Sequence, residues 1–145
     1  MKAIIFGASG QDGYYLQKLL RRENIEIIAV SRRGNGIIAD IGNFSSVEHI
    51  IKEHKPDLIF HFAAPDEELD SFFSIIQKSL SPKGALWVIM PKQKQAKALG
   101  YLYDWNILIA SALKTTLVDN KTLTFSPEEY GTRFVIRKEL RGSGA

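Results

Sequence analysis

This sequence predicts an α/β fold: a doubly wound, mostly parallel sandwich of three layers that ends in an antiparallel hairpin. Three observations carry the prediction. First, the apolar run Met1–Phe6 passes through Gly7-Ala8-Ser9-Gly10-Gln11-Asp12-Gly13 into an amphipathic stretch that begins at Tyr14. Second, the near-continuous apolar runs Asp57–Ala63 (DLIFHFA) and Ala85–Met90 (ALWVIM) alternate with segments of helical periodicity. Strands that are apolar on both faces belong to parallel sheets covered by helices on each side. Third, the strand-like runs Leu117–Phe125 and Thr132–Lys138 are joined only by residues 126–131. A connector that short cannot carry a parallel crossover, so these runs pair antiparallel.

The elements follow in order. Lys2–Phe6 is the first strand and Gly13–Glu23 the first helix, with Tyr15, Leu16, Leu19 and Leu20 on its inward face. Glu26–Ser31 (EIIAVS) is a second strand and Gly36–Asp40 a short third. Phe44–His54 spaces Val47, Ile50 and Ile51 as a helix does, and Ser45 offers a cap. Pro56 ends that helix and introduces the fourth strand, Asp57–Ala63. Glu67–Ser79 is a helix that turns Leu69, Phe72, Phe73 and Ile76 inward, and Ser81-Pro82-Lys83-Gly84 is a turn before the fifth strand. Lys92–Thr116 reads as helical, broken into two pieces at Gly100. The expected strand order is three-two-one-four-five, then seven, then six, with the seventh antiparallel to its neighbours. Residues 1–140 are expected to form one unit, with 141–145 a flexible tail.

Composition narrows the function classes. At 145 residues, 45% of them hydrophobic, the chain can bury a real core. The net charge is only +3 and the Lys and Arg residues are interspersed with acids, which predicts solvated faces and no nucleic-acid partner. With no cysteine there is no disulfide framework, thiolate nucleophile or cysteine metal site. His49, His54 and His61 lack metal-ligand spacing, so no metal is expected. No stretch has membrane-spanning length, and the expected location is the cytoplasm.

The glycines of the first loop stand as G-x-x-G-x-x-G, and each has a physical task. Gly7 permits the tight turn off the strand, Gly10 lets backbone approach a pyrophosphate, and Gly13 lets the helix pack closely on the strand. The free N–H groups at the helix start then face the ligand's negative charge. The expected contacts here are Gly7, Ser9, Gly10, Gln11, Asp12 and Gly13, with the Asp12 carboxylate turned sideways from the pyrophosphate. The second strand ends in Ser31-Arg32-Arg33. An NAD site places there a carboxylate for the ribose hydroxyls, whereas Arg32 and Arg33 can grip a 2′-phosphate. The expected cofactor is therefore NADP, with NAD the weaker ligand.

Residues 1–64 resemble the extended short-chain dehydrogenases/reductases, and among them the GDP-mannose 4,6-dehydratases. The carriers are GASGQDGYYL at 7–16, Ser31-Arg32-Arg33, Ala39-Asp40-Ile41, and KPDLIFHFAA at 55–64. The resemblance implies a Rossmann-like fold, arginines on the NADP 2′-phosphate, Asp40 and Ile41 beside the adenine, and Ala63 and Ala64 flanking the nicotinamide ribose. The stretch between Arg33 and Asp40 is shorter than those dehydratases carry. Residues 66–140 instead resemble the carboxyl half of a class I methyltransferase-like domain, as found in a small bacterial family of unassigned function. The carriers are Leu80-Ser81-Pro82-Lys83-Gly84-Ala85-Leu86-Trp87-Val88, Pro91-Lys92, Leu117–Lys121 and Arg133–Lys138. Two halves of different likeness meeting near Pro65 predict an engineered chimera that shares one core.

The dehydrogenase resemblance also implies a catalytic Tyr and Lys four residues apart, on a helix after the fifth strand. Tyr14 and Lys18 have the spacing but sit in the first helix, and no other Tyr has a Lys at that distance. The expectation is a non-catalytic domain with residual NADP(H) binding. The alternatives are a structural chimera without ligand and an S-adenosylmethionine-dependent methyltransferase-like protein. Of the remaining groups, His61 is expected to be a core histidine and Asp66, Glu67, Glu68 and Asp70 a helix-start cluster suited to the dipole. Lys92, Lys94 and Lys97 are expected to form a solvated helix start.

Overall fold

A computed structural model describes residues 1–7, 11–31, 36–40 and 42–140, with Gln11 and Asp12 as backbone only. The chain runs β1 (Lys2–Phe6), α1 (Gln11–Arg22), β2 (Glu26–Ser31), β3 (Ile37–Ile38), α2 (Phe44–His54), β4 (Leu58–Phe62), α3 (Leu69–Ser79), β5 (Ala85–Pro91), α4 (Gln93–Ala98), α5 (Trp105–Leu113), β6 (Leu117–Ser126) and β7 (Glu129–Ile136), ending in a 3₁₀ turn at Lys138–Leu140. The seven strands form one sheet in the order β3-β2-β1-β4-β5-β7-β6. The pairs from β3 to β5 are parallel; β5–β7 and β6–β7 are antiparallel. This is the expected doubly wound sheet with its antiparallel ending.

The apolar strands dictate where the layers go. On one face, Ile4, Phe6, Ile59, Leu86, Val88, Met90 and Phe134 meet α2, α3 and α5 in a core that includes Val47, Ile51, Phe72, Phe73, Ile76 and Leu108. On the other face, Ala3, Ile5, Phe60 and Ile89 meet Leu16 and Leu20 of α1. Among the described residues α1 is the only helix on that second face. Only residues 32–36 connect β2 to β3, fewer than a crossover helix takes. Of the four α1 residues expected to face inward, only Leu16 and Leu20 are buried; Tyr15 and Leu19 stay 56% and 53% exposed. The stripe they belong to is wider than the part of the sheet α1 covers.

Local details depart from the sequence reading. The α2 cap is Asn43, whose side chain accepts from Ser46 N–H at 3.2 Å, rather than Ser45, which lies inside the helix. Residues 92–116 hold two short helices, separated by Gly100 at φ +78°, a left-handed turn open to solvent. Thus Tyr101 and Tyr103 lie on a connection and not on a helix. The hairpin turn is tighter than expected, because β6 runs to Ser126 and β7 begins at Glu129.

Candidate functional site

The direction of winding reverses between β1 and β4, and ligands of open α/β sheets bind beyond the carboxyl ends of the strands at that point. Gly7 ends β1 there at φ +82°, with its N–H donating to the Val30 carbonyl at 2.9 Å. A Cβ on Gly7 would stand 3.3 Å from the Phe62 Cβ, so glycine lets β1 and β4 close up at their carboxyl ends. Gly13 is buried in the first turns of α1. Both glycines thus allow close backbone packing at the junction of β1 and α1. Asp40 follows β3, and its Oδ1 accepts the Gly42 N–H at 2.9 Å. Ser9, Gly10, Arg32, Arg33 and Ile41 lie outside the described residues, as do the side chains of Gln11 and Asp12.

Beyond β4, Ala63 and Ala64 are held from several sides. The Ala63 N–H donates to the Ile89 carbonyl at 2.9 Å, and the Ala64 N–H donates to Glu67 Oε1 at 3.2 Å. The Tyr101 hydroxyl donates to the Ala63 carbonyl at 2.7 Å, and the Tyr103 hydroxyl to the Ala64 carbonyl at 2.5 Å. The Leu102 N–H adds a bond to the Pro65 carbonyl at 3.0 Å. The 101–103 connection is therefore a clasp over the loop after β4. Burial, then Glu129 and Glu67, push the Tyr101 hydroxyl up to about 12. Burial, with Glu67 next, raises Tyr103 as well. Both phenols stay neutral donors over the physiological range, so the clasp does not titrate there.

Beneath this loop lies a buried pair. His61 points from β4 toward α3, stacks on Phe72 with ring centres 4.3 Å apart, and meets the Phe6 ring edge-on. Its Nε2 lies 2.6 and 2.7 Å from the two Glu67 oxygens, and the side chains are 2% and 5% exposed. Facing the carboxylate oxygens, Nε2 carries the hydrogen and donates; among the described residues Nδ1 is buried without a partner. His61 is thus a core histidine, as expected, but its hydrogen-bond partner was not foreseen. Glu67 does not serve the α3 terminus: the helix begins at Leu69, and its cap residue Glu68 makes no side-chain capping bond. Asp70 instead accepts from the Ser111 hydroxyl and from Lys114 Nζ at 3.0 Å. Two of the acids at 66–70 therefore serve different partners, Glu67 under the loop after β4 and Asp70 toward α5 and Lys114. Nothing local in the sequence marks Glu67, because its partner lies on a strand; the two tyrosines were detectable only once Gly100 was read as a full break.

Other candidates disperse. Tyr14 and Lys18 are both exposed on α1. Lys94 and Lys97 are exposed on α4, and Lys92 donates its backbone N–H to the Glu128 carbonyl at 2.8 Å. Among the described residues no cluster of His, Asp and Glu could hold a metal, and no helix is long and apolar enough to cross a membrane. A cavity of about 330 Å³ opens where α4 and α5 begin, lined by Gln93, Asp104, Trp105, Asn106, Thr122 and Tyr130. Its amides and hydroxyls are polar, and the Trp105 indole N–H donates to Thr132 Oγ1 at 2.9 Å on its inner side.

Comparison with known proteins bears out the two-part likeness. The NAD dependent epimerase/dehydratase family model matches residues 3–76. Over 94% of the chain, the fold is similar to a TehB-like SAM-dependent methyltransferase from Corynebacterium glutamicum (11% identity, 80% of that chain, TM-score 0.63). It is also similar to the N-methyltransferase NodS from Bradyrhizobium japonicum in complex with S-adenosyl-L-homocysteine (15% identity, 94% of this chain and 78% of that one, TM-score 0.63). A SAM dependent methyltransferase from Aquifex aeolicus matches at 13% identity, 94% and 82% coverage, and a TM-score of 0.64. At these identities the likeness is one of fold.

One expectation is corrected by these findings. The chain was expected to have no chemistry of its own because it lacks the Tyr/Lys pair. That absence removes a single reaction class, whereas three solved structures of similar fold are methyltransferases, so it does not make the chain a non-enzyme. The match at residues 3–76 of 145 spans half the sequence and carries the glycine loop, the β2 end and the loop after β4, and the chain belongs to the NAD dependent epimerase/dehydratase family.

Proposed function

We propose that the chain is an enzyme domain taking an adenosine-bearing cofactor across the carboxyl ends of β1 and β4, with methyl transfer from S-adenosylmethionine as its reaction. The carrying observation is β7, inserted antiparallel between β5 and β6 in a sheet whose fold is similar to that of methyltransferases. Gly7 and Gly13 would bring backbone close to the cofactor, and Asp40, which follows β3, would lie on the adenine side. The cofactor supplies an activated methyl group. The protein's part in such a displacement is mainly positioning and exclusion of water. The clasp of Tyr101 and Tyr103 would hold the loop after β4 in one shape, and the polar cavity at Gln93, Asp104 and Asn106 would take the methyl acceptor.

A second reading is NADP(H) binding, favoured by the family match and by the end of β2. In the sequence, Ser31-Arg32-Arg33 takes the place of the carboxylate that an NAD site has at the end of its second strand, and guanidinium groups suit a 2′-phosphate. Titration with S-adenosylhomocysteine, NADPH and NADH, followed by thermal shift, separates the readings. Saturable binding of S-adenosylhomocysteine alone supports methyl transfer. Preference for NADPH over NADH, erased by changing Arg32 and Arg33 to alanine, supports the second reading. No binding of any of the three at millimolar concentration overturns both.

A further inference from the structure

The face of the sheet that α1 leaves open carries a second site, unrelated to the cofactor edge. Between α1 and the β6–β7 hairpin runs a slot of about 470 Å³, within the usual range for small-molecule pockets. Its floor is Phe60, Trp87 and Gly131, and its walls are Tyr15 and Leu19 on one side and Leu123 and Phe125 on the other. Gly131 contributes no side chain, so the floor dips between β5 and β6; the Trp87 ring lies 3.4 Å from where its Cβ would be. At the end toward the carboxyl edge, Phe125 is braced edge-on against Phe62, with ring centres 5.9 Å apart, closing the slot.

The opposite end is basic. Arg133 is the cross-strand partner of Trp87, and Lys121 is the partner of Arg133, so all three side chains stand on this face. Like charges directly opposite each other destabilise a sheet, and among the described residues no hydrogen bond or ion pair engages either side chain. Arg22 continues the Tyr15–Leu19 stripe of α1 toward the same end, at helical spacing. An aromatic slot closed at one end, with Lys121, Arg133 and Arg22 beyond its lining toward the other, is complementary to a single apolar chain with an anionic head. We propose that this slot binds long-chain carboxylates, with the chain over Trp87 and Gly131 and the carboxylate between Lys121, Arg133 and Arg22. The volume fits a ligand of drug size rather than a helix of a partner protein, whose diameter alone is about 10 Å.

The two tryptophans make the test direct, since Trp87 lines the slot and Trp105 bonds to Thr132 on the other face of the sheet. Brominated dodecanoate, below its micellar concentration, should quench Trp87 emission saturably in the Trp105→Phe variant. It should leave Trp105 emission unchanged in Trp87→Phe. In the unaltered protein, dodecyltrimethylammonium should bind at least about tenfold more weakly than dodecanoate. Lys121→Glu with Arg133→Glu, checked for native circular dichroism, should weaken dodecanoate by a similar factor. Equal quenching of both tryptophans, equal affinity for the cationic amphiphile, or no saturable quenching would overturn the assignment. So would a dimer in sedimentation that shields Trp87 without dodecanoate, since a second copy would then be the occupant.

Discussion

Replacing Glu67 by alanine should lower the stability of the fold by about 3–5 kcal/mol, the range for removing one member of a buried pair. The structure shows where that comes from. Glu67 accepts from His61 Nε2 at 2.6 and 2.7 Å and from the Ala64 N–H at 3.2 Å. Without it, His61, whose side chain is 2% exposed, has no partner on either ring nitrogen, because Nδ1 already lacks one. Each unpaired buried group costs about 1–3 kcal/mol. Relief of the carboxylate's own desolvation returns part of the sum, which keeps the net below simple addition. His61→Phe alone should cost a similar amount, since it strands the carboxylate. The double variant should lose at least about 2 kcal/mol less than the two single losses combined, as the new ring can lie between Phe6 and Phe72. Urea unfolding followed by tryptophan emission measures all three, provided the slope is unchanged. A loss under about 1 kcal/mol for Glu67→Ala, or strict additivity, would refute the view that the pair is a structural clamp under the loop after β4.

Two further outcomes follow from the geometry. Tyr101 and Tyr103 titrate above the ordinary tyrosine value of 10.0, Tyr101 at about 12, so the fold binds their protons more tightly than the unfolded chain does. Their contribution is complete below pH 10 and falls as pH rises above it, that of Tyr101 through about 12. Urea midpoints should fall over that window with a slope approaching about 1.4 kcal/mol per pH unit for each tyrosine; Tyr103→Phe should shallow the slope, and an unchanged slope would show that Tyr103 does not contribute. Asn43→Ala should cost about 1 kcal/mol in thermal or urea unfolding by removing the α2 cap, whereas Ser45→Ala should be near neutral; the reverse ranking would restore Ser45 as the cap.

The sequence by itself determined the sheet. Apolar strands at 2–6, 26–31, 58–62 and 85–91, separated by helical periodicity, could be buried only between helix layers. The short link after Ser126 left the last pair no choice but to run antiparallel. Gly7 and Gly13 were legible for the same reason: backbone constraint is local, and a glycine at a strand–helix junction states its own cause. Contacts across the fold were not legible. Glu67 faces His61 because β4 and the start of α3 meet at the carboxyl edge, and Tyr101 and Tyr103 reach Ala63 and Ala64 from nearly forty residues away in sequence. Likewise, periodicity marked Tyr15 and Leu19 as apolar but could not say that the sheet beneath them is only partly covered. Periodicity reports which side chains avoid water; only the tertiary arrangement decides what each one meets, and on the α1 face it left an aromatic slot open.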